Sequence, residues 1–473
     1  MKPLPRVINL TRPALNARWI HEPLLGFADG VEHIDPKVGI AYAGPRSLGT
    51  ARHRAPINVG FIGTAEGTDR VRKYLESAAL GVAGDEDHAP FPGFLPDRGF
   101  RTLIRCADEL VETITASDTR SLLKPKKRQR DRFEELLLLL ESRLRVLCGR
   151  DTPLDCVLVV LPDDLVKRCG TANYRESGRQ THRDLHSAFK AIAMKYLIPT
   201  QIIWESTTGL TDDSGTRDLD HPAEIVWNLH TGIYFKSGGL PWSPIGLLPG
   251  TCFVGISFYR PQGESSSMRT SVAQAFSESG DAFVLRGQEF TWEGRSPHIP
   301  ADHASTLTRQ TMERYQLETG RPPKRVIVFK RSRFDGAERE GFQDALQGVE
   351  YDLLALRRVT DIRLMRQGAY PPLRGTAFDL GGRSYLYTMG TIPQLGYYPH
   401  GHVPATVELA DHVGDTASDD LLSYILLLTK LNWNSAKYAE REPVTLEFAE
   451  RVGDVLKEIA PGQEPEAKYS YYM

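Results

Sequence analysis

The chain has 473 residues, 41% of them hydrophobic and 25% charged, with 58 Lys and Arg against 60 Asp and Glu. At ~100–200 residues per domain, this length holds roughly two to four domains, and the composition excludes fibrous and wholly disordered classes. A formal net charge of −2 excludes a polycation, so any nucleic-acid contact has to come from a local basic groove.

Cys106, Cys148, Cys156, Cys169 and Cys252 are scattered and form no Cys-x-x-Cys pair. Reduced, buried thiols are expected rather than a disulfide framework or a zinc site. No apolar run approaches the ~20 residues that span a bilayer, and no apolar signal core follows the start. The expectation is a cytoplasmic protein without membrane contact.

Residues 1–55 are rich in Pro and Gly and read as an extended lead-in that packs on the rest. A strand at 57–63 and a helix at 69–80 follow, with Val71, Tyr74, Leu75 and Ala78 on one helix face. The intervening loop lacks a Gly-Lys-Ser/Thr ending and reads as a plain strand-to-helix turn, not a phosphate loop. Lys124, Lys126, Lys127, Arg128, Arg130 and Arg132 open a helix at 130–148. Alone, such a run is a solvated helix start; its functional alternative is a nucleic-acid or partner contact. A buried strand at 156–162, a helix at 183–196 and a strand at 198–204 predict a doubly wound α/β domain.

A second α/β series predicts strands at 251–259, 282–286, 325–330, 351–359 and 384–389. Its helices fall at 306–319, 341–346, 418–429 and 445–459. The aromatic end at 469–473 is expected to dock.

Three stretches carry chemistry. His186 and Lys190 stand four apart on one helix face, followed by Gln201 at a strand. Lys236 precedes Gly238-Gly239, a turn that lets backbone approach a ligand. Lysines supply point charge and the glutamine supplies directional hydrogen bonds, a set suited to a terminal phosphate. The third stretch is the ending 443–450, closing on Glu450.

In this order, the set resembles the MID domain of Argonaute proteins. The resemblance implies that His186, Lys190, Gln201 and Lys236 hold the 5′ phosphate of a guide. Gly232 departs from it, since many Argonautes carry a lysine there. The resemblance also implies a role for the carboxylate of Met473, reaching the pocket with Mg2+.

The second half resembles a PIWI domain of RNase H-like fold, whose carboxylates hold two divalent ions for cleavage. Ser257 stands at the first carboxylate position, Arg331 at the second and Glu450 at the last. Asp281 and Glu289 are the candidates for the mobile glutamate. A missing carboxylate and an arginine oppose metal binding, so the expected site is non-catalytic.

Together these imply a short prokaryotic Argonaute without PAZ. It comprises a lead-in at 1–55, a Rossmann-like MID domain at 56–245 and an inactive RNase H-like PIWI domain at 246–473. The resemblance implies a small RNA guide, a single-stranded DNA target from plasmid or phage, and a partner chain with an APAZ region. A sirtuin-like NAD-consuming effector is favoured, with a TIR module or nuclease as alternatives; its activation would abort infection. The rivals are an active guided endonuclease and a guide-independent phosphate- or nucleotide-binding protein.

Overall fold

The computed structural model describes residues 15–473 except 177–178, 209–218, 262–266, 276–281, 293, 295, 369, 396–397, 399–402 and 461–462. Asp281 lies outside the described residues.

The lead-in is more structured than its composition predicts. It forms β1 (Asn16–Trp19), β2 (Leu25–Gly26), β3 (Glu32–His33) and α1 (Pro36–Ala43). Asp35 starts α1 by accepting from the amides of Lys37 and Val38, with Pro36 in the first turn. Lys37 then ion-pairs with Glu224 in the first lobe, while β1 joins a sheet of the second lobe.

The first lobe runs through β4 (Ile57–Gly63), α2 (Ala65–Ala79), β5 (Phe94–Leu95), β6 (Arg98–Gly99), β7 (Ile104–Arg105), β8 (Val111–Thr113), α3 (Ala116–Leu122) and α4 (Gln129–Cys148). It continues with β9 (Cys156–Leu161), α5 (Asp163–Cys169), β10 (Thr171–Glu176), β11 (Arg179–Asp184), α6 (Leu185–Ala193), β12 (Thr200–Trp204), α7 (Pro222–Lys236) and β13 (Ser243–Pro244). Its main sheet is parallel in the order β12-β9-β4-β7, with β8 further along β4. Every residue of β9 is buried, as a strand covered on both faces requires.

Two boundaries differ from the sequence reading for local reasons. Helix α2 begins at Ala65 because Thr64 caps it, accepting from Gly67 N at 2.9 Å. The Glu205 carboxylate accepts from Thr64 Oγ1 at 2.8 Å, so an acid covers the place a phosphate loop would use. Helix α6 begins at Leu185, where Asp184 accepts from Ser187 N at 3.0 Å. Residues before it belong to the β10–β11 hairpin, whose polar sequence hides its strands.

The second lobe comprises β14 (Thr251–Tyr259), β15 (Ser267–Ala275), β16 (Val284–Thr291), α8 (Ala301–Thr319), β17 (Arg325–Lys330) and α9 (Gly336–Ala345). Then come β18 (Glu350–Val359), β19 (Thr376–Leu380), β20 (Arg383–Leu386), β21 (Thr406–Gly414), α10 (Ser418–Leu428) and α11 (Val444–Leu456). Its nine-stranded sheet runs β1-β19-β20-β21-β18-β17-β14-β15-β16. Strands β14, β17 and β18 are parallel, and the flanking pairings are antiparallel.

Helix α11 crosses this sheet at Gly255, where a Cβ would stand 2.0 Å from the carbonyl oxygen of Thr445. The missing side chain is what lets the helix lie that close.

One hydrophobic cluster spans both lobes, from Phe61 and Leu158 to Trp433, Phe448 and Tyr469. Trp433 Nε1 donates to Trp242 O at 3.1 Å, and Trp242 Nε1 donates to Lys430 O at 2.9 Å. No helix among the described residues is long and apolar enough to cross a membrane.

Candidate nucleic-acid interface

Helix α6, strand β12 and helix α7 bring His186, Lys190, Gln201 and Lys236 into one pocket at the junction of the lobes. Lys190 is buried and its ammonium donates to Thr200 O at 3.0 Å. Lys236 is equally buried and donates to Gln201 Oε1 at 2.8 Å and to Asn434 Oδ1 at 3.0 Å. Neither ammonium has a carboxylate partner among the described residues.

That arrangement is costly for an empty pocket, because a buried charge needs a counter-ion. Burial pushes Lys236 down to about 8, with the positive charge of Arg451 adding to the shift. Burial and the neighbouring Lys236 hold Lys190 well below its usual range. His186 keeps an exposed edge, yet protein surrounds the rest of its ring. That desolvation, with the charges of Lys190, Lys236 and Arg451, lowers its imidazole to about 3. It therefore offers a neutral ring at ordinary pH.

Two contributors come from the second lobe and escape the sequence reading. Asn434 lies in the loop after α10 and holds Lys236, while Ala436 N in that loop donates to Asn228 Oδ1 on α7 at 2.9 Å. Arg451 lies on α11, one residue past the expected Glu450. Gly232 faces the same point: a Cβ there would sit 3.4 Å from Asn434 Oδ1 and 3.5 Å from Lys236 Nζ. Position 232 therefore lies at the pocket lining, not on a remote surface.

The C-terminal residues pack at this junction. Tyr469 stacks on Phe448 of α11 with ring centroids 4.1 Å apart, and Met473 is buried. The Met473 carboxylate forms no ion pair with either lysine among the described residues. The nearby amide oxygens of Gln201 and Asn434 both accept from Lys236. These two amide oxygens, with no carboxylate beside them among the described residues, do not fit a divalent ion. Metal-type clusters among the described residues are Asp85 with His88 and His221, and His298 with Asp335 and Glu338. Neither lies in the pocket, and in the second the Lys330 ammonium already pairs with Glu338.

The other expected site lies on the PIWI-like sheet. Ser257 is half-buried on β14. The parallel pairing of β14 with β17 ends at Gly255 and Phe329, two residues before Ser257 on one strand and Arg331 just past the end of the other. Arg331 Nη2 lies 2.7 Å from Glu442 Oε2 and 2.8 Å from Glu450 Oε2. Arg358 also pairs with Glu442, at 2.6 Å. The Arg331 guanidinium holds Glu450 below the usual carboxylate range. Tertiary structure thus brings Arg331 and Glu450 together and adds Glu442. Glu289 lies on the edge strand β16, ion-paired with Arg269 at 2.6 Å.

No protein-family model matches the sequence, and no curated protein matches it. Solved structures do. Clostridium butyricum Argonaute bound to a guide DNA and a 19-mer target DNA matches with a TM-score of 0.64 at 16% identity, over 96% of this chain and 55% of that one. Drosophila Piwi matches with a TM-score of 0.62 at 14% identity, over 96% and 56%. A. aeolicus Argonaute matches with a TM-score of 0.57 at 17% identity, over 96% and 55%. The fold is therefore that of the Argonaute MID and PIWI domains, Rossmann-like then RNase H-like. The described elements contain no PAZ-like unit beside them. The chain spans about half the length of the structures it matches.

Proposed function

We propose that this protein is a guide-binding short Argonaute that recognises nucleic acid without cutting it. The observation that carries this reading is the pair of buried ammonium groups, Lys190 and Lys236, without a carboxylate partner at the lobe junction. A guide's 5′ phosphate is the dianion that would complete the pocket. Gln201 and Asn434 would orient the cations, and the neutral His186 ring would stand at the rim. One of the similar structures is described as bound to a guide DNA and a 19-mer target DNA, which supports placing a guide here.

The non-cleaving half of the proposal rests on Arg331. Its guanidinium already neutralises Glu442 and Glu450, and a divalent ion would have to displace it. Base pairing then reads sequence while the protein reads the shape and backbone of the duplex. We extend the proposal to an RNA guide, a single-stranded DNA target and an APAZ-containing partner that carries the enzymatic activity, sirtuin-like by preference. In cells holding both chains, matching invader DNA should lower NAD.

The direct test is affinity for one small RNA with a 5′ phosphate or a 5′ hydroxyl. Lys190→Met with Lys236→Met should weaken the phosphorylated guide roughly 10- to 100-fold, the worth of hydrogen bonds to a charged group. The hydroxyl guide should change little. Equal losses on both would refute phosphate anchoring. Adding EDTA tests Mg2+ in the same assay, and complete cutting of a matched target with Mg2+ or Mn2+ would refute the non-cleaving reading.

A further inference from the structure

At Arg331 lies a groove of about 360 Å³ lined by Arg331, Arg333, Arg357 and Arg383 with Ser296, His298, Ser332 and Ala410. Among the described residues that line it, four are arginines and none is acidic; Glu450, 54% exposed, pairs with Arg331 beside it. Two buried acids hold three of these arginines. Glu408, fully buried, accepts from Arg357 Nε at 2.7 Å and from Arg383 Nη1 at 2.9 Å. It sits directly across the β18–β21 pairing from Arg357. Glu442, also buried, holds Arg331. Arg357 and Arg383 remain 58% and 45% exposed. Arg333 is exposed and has no acidic partner among the described residues.

Buried acids therefore fix Arg331, Arg357 and Arg383, whose guanidinium groups line the groove beside Arg333, which no acid among the described residues holds. Guanidinium groups match phosphate geometry, and pre-ordering them removes part of the entropic cost of binding. We propose that this groove is a backbone clamp that takes phosphodiester groups of the bound duplex where Arg331 replaces a carboxylate. The arginines do by direct contact what metal ions do in a cutting enzyme, holding the strand with no ion to activate water. The inference rests on the guide-binding reading above and adds a second, separate anchor to it.

The probe is protein loaded with a 5′-phosphorylated RNA guide and titrated with complementary single-stranded DNA. Arg333→Glu should weaken target binding about tenfold, while guide uptake and the thermal unfolding midpoint stay unchanged. Arg333→Ala should reduce the slope of log affinity against log salt by about one, the signature of one lost phosphate contact. Arg333→Lys should restore most of the affinity. Unchanged target affinity and slope in a normally loaded Arg333→Glu variant would overturn the clamp. If the unmodified protein takes up no guide, the guide reading falls, and the groove is judged on a preformed RNA–DNA duplex. Weaker duplex binding by Arg333→Glu then supports the clamp, and equal binding overturns it. An effect on inorganic phosphate alone, with none on duplex, also overturns it.

Discussion

Lys190 and Lys236 are placed where an empty pocket is at its least stable. Replacing a buried cation that has no counter-ion by an apolar side chain of similar volume removes that penalty. Lys190→Met should therefore stabilise the guide-free protein by about 1 kcal/mol or more while it weakens the phosphorylated guide. Denaturant unfolding and guide titration of the same variant measure both signs. The pocket should also be linked to protons. Lys236 falls from 10.5 to about 8 through burial. Its burial cost is fully present below pH 8 and is relieved as the folded state loses the proton. Guide-free stability should thus gain from this group between pH 8 and 10.5. An arriving phosphate favours the charged lysines, so guide binding near pH 8 should take up protons and weaken as the pH rises further. Calorimetry in buffers of different ionisation enthalpy reads that uptake; proton release would contradict it.

Helix α11 joins the two sites at the element scale. Its Glu450 pairs with Arg331 at the groove, and its Arg451 acts on Lys236 and His186 at the pocket. The helix holds this place because Gly255 admits it: a Cβ there would meet the Thr445 carbonyl at 2.0 Å. Gly255→Ala should push α11 off β14 at a cost of about 1–3 kcal/mol, the usual range for overpacking. Guide affinity should fall with it, although residue 255 lies outside the pocket. A variant with wild-type unfolding and guide binding would show that α11 is not fixed this way.

Across the whole molecule, the lead-in ties the lobes together. The Glu22 side chain is 3% exposed and accepts from Arg374 Nε at 2.9 Å and from Lys430 Nζ at 2.7 Å. The same carboxylate neutralises two buried cations, and Arg374 also reaches the Leu426 carbonyl at 3.0 Å. Glu22→Gln leaves those cations short of charge and should destabilise by about 3–5 kcal/mol, as breaking buried ion pairs does. Because one core cluster includes residues of both lobes, they should unfold in a single transition. Scanning calorimetry tests this; two resolved transitions would mean independent lobes.

Much of the first lobe was readable in the sequence. The continuous apolar run of β9 marks a strand buried on both faces, and the His186, Lys190, Gln201, Lys236 order names four groups that the fold brings together. Local spacing suffices for these because neighbouring elements of a parallel α/β unit pack side by side. The polar hairpin β10–β11 and strand β15 escaped, since neither carries the apolar alternation that marks a half-buried strand. Lead-in strand β1 escaped as well, because its partner β19 lies more than 350 residues away.

The sequence by itself determined the residue types available: two lysines and a glutamine in order, a serine at 257, an arginine at 331 and a glycine at 232. Only the tertiary structure decided which charges meet. It left Lys190 and Lys236 without an acid and supplied Asn434 from the other lobe. It set Arg331 on Glu442 and Glu450, and Arg357 and Arg383 on Glu408. Charge interactions act over a few ångströms of space and strengthen with burial, and neither proximity nor burial across 200 residues of chain is written in local pattern.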